Sequence, residues 1–224
     1  MNELLSPAIR ADLQQLKAAM IAVTRTLRSS FKRMKKPVGS GLKVNLGCGP
    51  LGRAGWINVD GYPIDNTVLG LDLRNPLPFS DGFASHIHCE HFLEHLEFDQ
   101  ALRLMGECYR ILQPGGSMRL ILPDGGKYLK AYAEHDAAFF DRLKNIGNPS
   151  RSLLTPMEII NQSFRMGGAH RFAWDEETLR CYLTLAGFVD VVVTEPNQIA
   201  AELAIDGTDS WRRDESIYLN MRRR

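Results

Sequence analysis

Two short stretches of this chain place chemically useful residues at telling spacings. Lys43-Val44-Asn45-Leu46-Gly47-Cys48-Gly49-Pro50 is an apolar strand running into a glycine turn, and Trp56-Ile57-Asn58-Val59-Asp60 is a second strand ending on an acid. Glycines at 47 and 49 allow a tight turn and let a ligand approach where a Cβ would clash. A carboxylate at Asp60 can accept hydrogen bonds from a ribose diol, so the pair describes a nucleoside-cofactor site on a parallel sheet. Gly47, Gly49 and Gly52 also spell G-x-G-x-x-G, but the dinucleotide motif needs a helix after the turn and an acid about 20 residues on. Asp60 follows Gly52 by eight positions, and Arg53-Ala54-Gly55 leave no room for a crossover helix. An NAD-dependent sugar oxidoreductase is disfavoured on that spacing, because a pyrophosphate would lose the helix N-terminus that holds it.

A third stretch, His91-Phe92-Leu93-Glu94-His95, matches H-x-x-E-H, an inverted zinc-protease motif. Two histidines four apart share a helix face, yet a catalytic zinc needs a third protein ligand that nothing nearby in the sequence supplies. The expectation is therefore a site without a metal.

The ordered motifs resemble a known family. Asn45-Leu46-Gly47-Cys48-Gly49, Gly55-Trp56-Ile57-Asn58-Val59-Asp60, Leu77-Pro78-Phe79, His91-Phe92-Leu93-Glu94-His95-Leu96 and Arg110-Ile111-Leu112-Gln113-Pro114-Gly115-Gly116 look like class I S-adenosylmethionine-dependent methyltransferases. More narrowly they resemble the compact, type 11-like bacterial branch found with glycan-biosynthesis enzymes. The resemblance runs from about residue 41 to 222 and takes in Gly168-Ala169-His170-Arg171 and the final strand near Glu215-Ser216-Ile217-Tyr218-Leu219. It departs from the family at Asn45, where an acid is common, and in the missing helix after the glycine turn.

The resemblance implies S-adenosylmethionine as cofactor and a set of roles. Asn45, Gly47, Cys48 and Gly49 would face its methionine part, Asp60 the ribose, and Asp72 with the Leu73 amide the adenine edge, walled by Leu77, Pro78 and Phe79. Glu90 and His91 would lie beside the sulfonium, on the floor of the acceptor site. A sugar hydroxyl is a poor nucleophile while it keeps its proton, so a histidine base would help. His91 and His170 are the catalytic candidates, with His95 and His135 behind them. The implied activity is O-methylation of a sugar or glycan precursor. The alternatives are a methyltransferase for another small molecule and a non-catalytic cofactor-binding partner subunit.

Around these motifs, strands are expected near 42–47, 56–61, 68–73, 84–90, 117–123, 187–194 and 215–222, and helices near 97–112, 126–144 and 174–186. Alternating strands and helices predict a doubly wound, mostly parallel, seven-stranded sheet with ligands at the strand carboxyl ends. The last two strands, joined by a connection with no clear helix, are expected to form an antiparallel edge with an antiparallel last strand, as the resemblance implies. Helix 97–112 places Phe98, Ala101, Leu102, Met105, Tyr109 and Leu112 on one face and stops before Pro114-Gly115-Gly116. Residues 125–172 form an insertion whose Tyr128, Tyr132, His135, Phe139, Phe140, Phe164 and Arg171 suit the walls of an acceptor pocket.

The chain has 224 residues, 44% hydrophobic and 24% charged, enough for one α/β domain at 41–224 with additions. A net charge of +1 argues against nucleic acid. Four scattered cysteines (Cys48, Cys89, Cys108, Cys181) predict free thiols, and with no long apolar run or leader pattern the expected location is the cytoplasm. Residues 1–38 read as a separate basic helix. Ile9, Leu13, Leu16, Met20, Val23 and Leu27 recur at coiled-coil spacing, and residues 1–36 carry eight Lys or Arg against Glu3 and Asp12. Such a helix suits packing on the domain, a partner helix, a homodimer, or the inner face of an anionic membrane.

Overall fold

The computed structural model describes residues 39–49, 52–63, 66–146 and 152–224, and the helix expected over 1–38 lies outside the described residues. Seven strands form one sheet: β1 (Leu42–Leu46), β2 (Ile57–Asp60), β3 (Val68–Gly70), β4 (Ala84–Glu90), β5 (Leu112–Pro123), β6 (Phe188–Val193) and β7 (Ser216–Arg223). Their order is β3-β2-β1-β4-β5-β7-β6. Strands β1 to β5 pair in parallel, and β7 alone is antiparallel to both neighbours, β5 and β6. The mostly parallel sheet, its antiparallel last strand and the antiparallel β7–β6 edge are as expected. Strand β7 slots between β5 and β6, and β6 takes the edge.

The order reverses between β1 and β4, which makes their carboxyl ends the switch point where open α/β sheets bind ligands. Both glycine turn and H-x-x-E-H string begin there. Val44 and Leu46 on β1, Ile87 and Cys89 on β4, and Leu120 and Leu122 on β5 are buried in the main core.

Helix α1 (Phe98–Ile111) packs into that core through Ala101, Leu104, Met105, Cys108 and Ile111, with Phe98, Leu102 and Tyr109 along its margin. The buried stripe is rotated slightly from the expected face. The helix passes into β5 without a loop, so Pro114-Gly115-Gly116 forms a bulge inside the strand, where the register against β4 shifts. Arg223 closes the helix end, donating Nη1 to the carbonyls of Arg110 and Leu112.

The expected helix over 126–144 is two helices, α2 (Gly125–Ala133) and α3 (Ala137–Leu143), each capped by an aspartate, Asp124 and Asp136. A further helix, α4 (Pro156–Arg165), was not foreseen, although Thr155, Pro156 and Glu158 spell its capping box. Tyr128, Phe139 and Phe140 are consumed in the small core these three helices share with Leu143, Ile159 and Ile160. They are therefore not open walls for an acceptor. Helix α5 (Glu176–Leu185) follows as expected, and the β6–β7 connection carries a short helix, α6 (Ser210–Glu215).

That connection is anchored from within the sheet. Arg119 on β5 is fully buried, and its donors reach Asp206 (2.8 Å from Nε), Thr194 (2.9 Å), Asn220 (2.8 Å) and the Glu195 carbonyl (3.0 Å). Removing one member of such a pair strands a buried charge, at about 3–5 kcal/mol. Arg119→Met should lower the urea-unfolding free energy by about that amount, and adding Asp206→Leu should recover most of it.

Candidate active site

The first wall is the turn after β1. The Gly47 and Cys48 amides donate to the Val59 carbonyl at 2.8 and 3.2 Å, folding the turn onto β2. Gly47 and Gly49 both have φ near +65°. A Cβ at position 47 would stand 2.4 Å from the Phe92 ring, whereas one at position 49 would meet nothing within 4 Å among the described residues. Gly47 is thus required by packing, and Gly49 leaves open space against bare backbone where a ligand can lie. Asp60 borders that space. Its Oδ2 accepts the Gly49 amide at 2.9 Å and its Oδ1 the Tyr62 amide at 2.8 Å. Each oxygen keeps a second lone pair, so the carboxylate can brace the turn and still accept from two hydroxyls. Burial, then the Asp60 charge, pushes the Cys48 thiol up to about 11, so it is a neutral wall and not a nucleophile.

Several residues expected at the cofactor make contacts within the scaffold. Asn45 is buried, and its Nδ2 donates to Asn58 Oδ1 at 3.3 Å. Asn58 in turn exchanges hydrogen bonds with the Arg53 backbone at 2.8 and 3.0 Å. Asn45 therefore stiffens the 53–58 loop from beneath. Asp72 lies two residues beyond the end of β3, where Arg74 grips both its oxygens at 2.8 Å and holds the carboxyl below its usual range. The side chains of Leu77 and Phe79, expected to wall the ring, are buried in the core together with that of Leu73, and Phe79 stacks on Phe83.

Glu90, at the end of β4, is likewise enclosed. It accepts from Arg212 at 2.8 Å and the Gly207 amide at 3.0 Å, with His88 Nε2 at 3.3 Å. Burial opposes its ionisation, but His88, Arg212 and the Gly207 amide outweigh burial and lower its pKa to about 2. Glu90 clamps the β6–β7 connection to β4.

The second wall is a histidine cluster. His91 has a left-handed backbone (φ 49°) immediately after β4, a strained conformation for a residue with a Cβ. Its Nε2 meets Ser216 Oγ at 2.9 Å, its Nδ1 faces Glu94 Oε1 at 3.4 Å, and Trp211 packs edge-on at 5.8 Å between centroids. Residues Leu93–His95 form one 3-10 turn. The Glu94 carbonyl accepts from the Arg171 amide at 2.8 Å, which draws in the 169–172 loop. The His95 and His170 rings then meet edge-to-face, centroids 4.7 Å apart. Burial keeps the His170 pKa below its usual value, so the ring is neutral at physiological pH. His135 is exposed and outside this cluster.

Sequence reading passed over Glu215, Ser216 and Trp211, which line the cluster from the β7 side. Glu215 is buried and accepts the Tyr128 hydroxyl, and burial raises its pKa. No local motif announces these residues, because they meet His91 only through the sheet order.

Residues 58–120, from β2 to the middle of β5, match the profile of a family described as methyltransferase domain. Over those residues the chain carries the profile of a methyltransferase domain. That family uses S-adenosylmethionine, and the open backbone at Gly49 beside Asp60 fits its nucleoside and amino-acid ends. No curated protein matches the chain. Among solved structures, it is similar to an S-adenosylmethionine-dependent methyltransferase from Thermotoga maritima, a possible histamine N-methyltransferase. The two share 17% identity over 95% of this chain and 96% of that one, with a TM-score of 0.47. A methyltransferase from Mesorhizobium loti is 17% identical over 87% and 96%, with a TM-score of 0.48. Phosphoethanolamine N-methyltransferase 2 of Haemonchus contortus, solved with S-adenosylmethionine, is 12% identical over 90% and 51%, with a TM-score of 0.45.

In this methyltransferase the depressed Glu90 pKa has a measurable consequence. Its stabilisation is present above the unfolded-state value near 4.5 and is lost as pH falls through about 2. Glu90→Gln should cost about 2–3 kcal/mol at pH 7 in urea melts, and the gap to the parent should close across that acid window.

Proposed function

We propose that this methyltransferase moves a methyl group from S-adenosylmethionine to a hydroxyl of a sugar or glycan precursor. The observation that supports this reading is the join between its two walls. Phe92 packs on Gly47, so the His91–Glu94 pair begins one residue away from the cofactor turn. The bound cofactor supplies an electrophilic methyl group on a good leaving group; the protein must align the acceptor and exclude water.

A hydroxyl acceptor must also lose a proton, and His91 is placed to receive it. Glu94 faces one ring nitrogen and so orients the imidazole, as a carboxylate does in a nucleophile–base–acid triad. The Ser216 hydroxyl at the other nitrogen marks where a polar hydrogen is accommodated. The sugar class follows the resemblance of the ordered motifs to the glycan-associated branch.

Calorimetric titration with S-adenosylhomocysteine should show micromolar binding to the parent protein and none for NAD. Asp60→Ala should weaken it by about 10–100-fold, the value of one or two hydrogen bonds to a charged group. With an acceptor found by screening nucleotide sugars and lipid-linked glycans, His91→Asn should lower kcat by about 10²–10⁴-fold while leaving that binding intact. Transfer to amines alone would replace the hydroxyl reading.

A further inference from the structure

The fold does not complete the His91–His95 pair of the H-x-x-E-H string; it brings His170 to Glu94 and His95 instead. Ligand atoms of Glu94, His95 and His170 lie within 4.8 Å of one another. We propose that these three residues bind a single divalent transition-metal ion, zinc in the first instance, with at least one coordination position left open.

Three observations carry the assignment. Glu94 is only 3% exposed, yet among the described residues neither carboxylate oxygen accepts a hydrogen bond of normal geometry. A buried carboxylate is costly unless it is paired or holds a metal. His91 approaches one of its oxygens at 3.4 Å, which leaves the other free to face the cluster.

Next, both rings are already oriented as metal ligands are. His95 Nδ1 lies 3.2 Å from the Ala169 carbonyl, and His170 Nδ1 bonds the Ser163 carbonyl. A carbonyl can only accept, so each Nδ1 carries a proton, which in a neutral imidazole leaves Nε2 as the lone-pair nitrogen. Such outer hydrogen bonds fix the tautomer of ligating histidines.

Finally, two imidazoles and one carboxylate suit zinc or another first-row ion, whereas magnesium and calcium favour oxygen ligands. The cluster is wider than a bound state. Tetrahedral ligands about 2.0–2.1 Å from zinc stand roughly 3.3 Å apart, so the groups must draw in by about 1.5 Å. His170 follows Gly167 and Gly168, both with positive φ, and His95 ends its 3-10 turn, so neither ring is locked inside a long element. An oxygen ligand in the open position would be acidified by the metal. That consequence rests on the hydroxyl-transfer reading, whereas metal binding does not.

The test is calorimetric titration of the chelator-stripped full chain with zinc chloride, paralleled by cobalt(II) absorbance. One equivalent should bind, with a tetrahedral or five-coordinate cobalt spectrum. His95→Ala and His170→Ala should each weaken zinc by at least about 100-fold, and Glu94→Gln, which preserves shape, by at least about tenfold. S-adenosylhomocysteine affinity and the melting temperature of each stripped variant report whether the domain is intact. Absence of stoichiometric zinc binding in the parent, or unchanged affinity in an intact His170→Ala protein, overturns the assignment. Loss of homocysteine-product binding in the parent overturns the cofactor reading instead.

Discussion

Gly47 has no side chain, and the Phe92 ring stands where one would begin. Much of the site follows from that fit. It lets the chain leaving β4 press against the chain leaving β1, and so merges two strand ends into one crevice at the switch point. A methyl group at position 47 would push Phe92 outward and carry His91 and Glu94 with it. The positive φ of Gly47 adds a backbone reason for the same residue, so sterics and conformation both require glycine there.

From this contact the second wall is built outward by hydrogen bonds to backbone. The Glu94 carbonyl collects the 169–172 loop, and Ser216 reaches His91 from β7. Elements far apart in sequence thus converge on one five-residue string. The polar groups with scaffold duties, Asn45, Asn58, Glu90 and Arg119, lie beneath or beside it and are well satisfied. Among the described residues, Glu94, inside the cluster, is one of several buried groups without a hydrogen bond of normal geometry, and both of its carboxylate oxygens are in that state. Division of labour of this kind is what a preorganised site requires: rigid, fully bonded support around a few groups with free valence.

Much of this was legible before any coordinates. Glycine at 47 and 49, the acid ending β2, and the apolar run of each strand are local signals, and all seven strands lie within a few residues of their expected places, apart from the earlier start of β5. Roles that depend on competition were not legible. Asp72 reads as a free acid at a strand end, and its pairing with Arg74, two residues on, is seen only in the structure. Tyr128, Phe139 and Phe140 look like sugar platforms until three short helices need a core. Aromatic residues at helical spacing fit both descriptions, and only tertiary packing separates them. His170 and Ser216 reach the H-x-x-E-H string from 75 and 121 residues beyond His95, a juxtaposition set by topology alone.

The position of β7 has a further consequence, for the order in which the molecule can be made. β7 is synthesised after β6 but lies between β6 and β5, with Ser117 to Pro123 of β5 paired along its length. During translation the β5 border is therefore an open edge, with unpaired amides and carbonyls beside an apolar face. β6 cannot close it, because it has no register with β5 of its own. A nascent chain at this stage is exposed to strand addition from other chains, and its long-range pairing makes closure slow. The active site shares that delay, since Ser216, the first residue of β7, completes the wall around His91. The Ser216–His91 contact and the covering of the β5 edge therefore form in the same folding event.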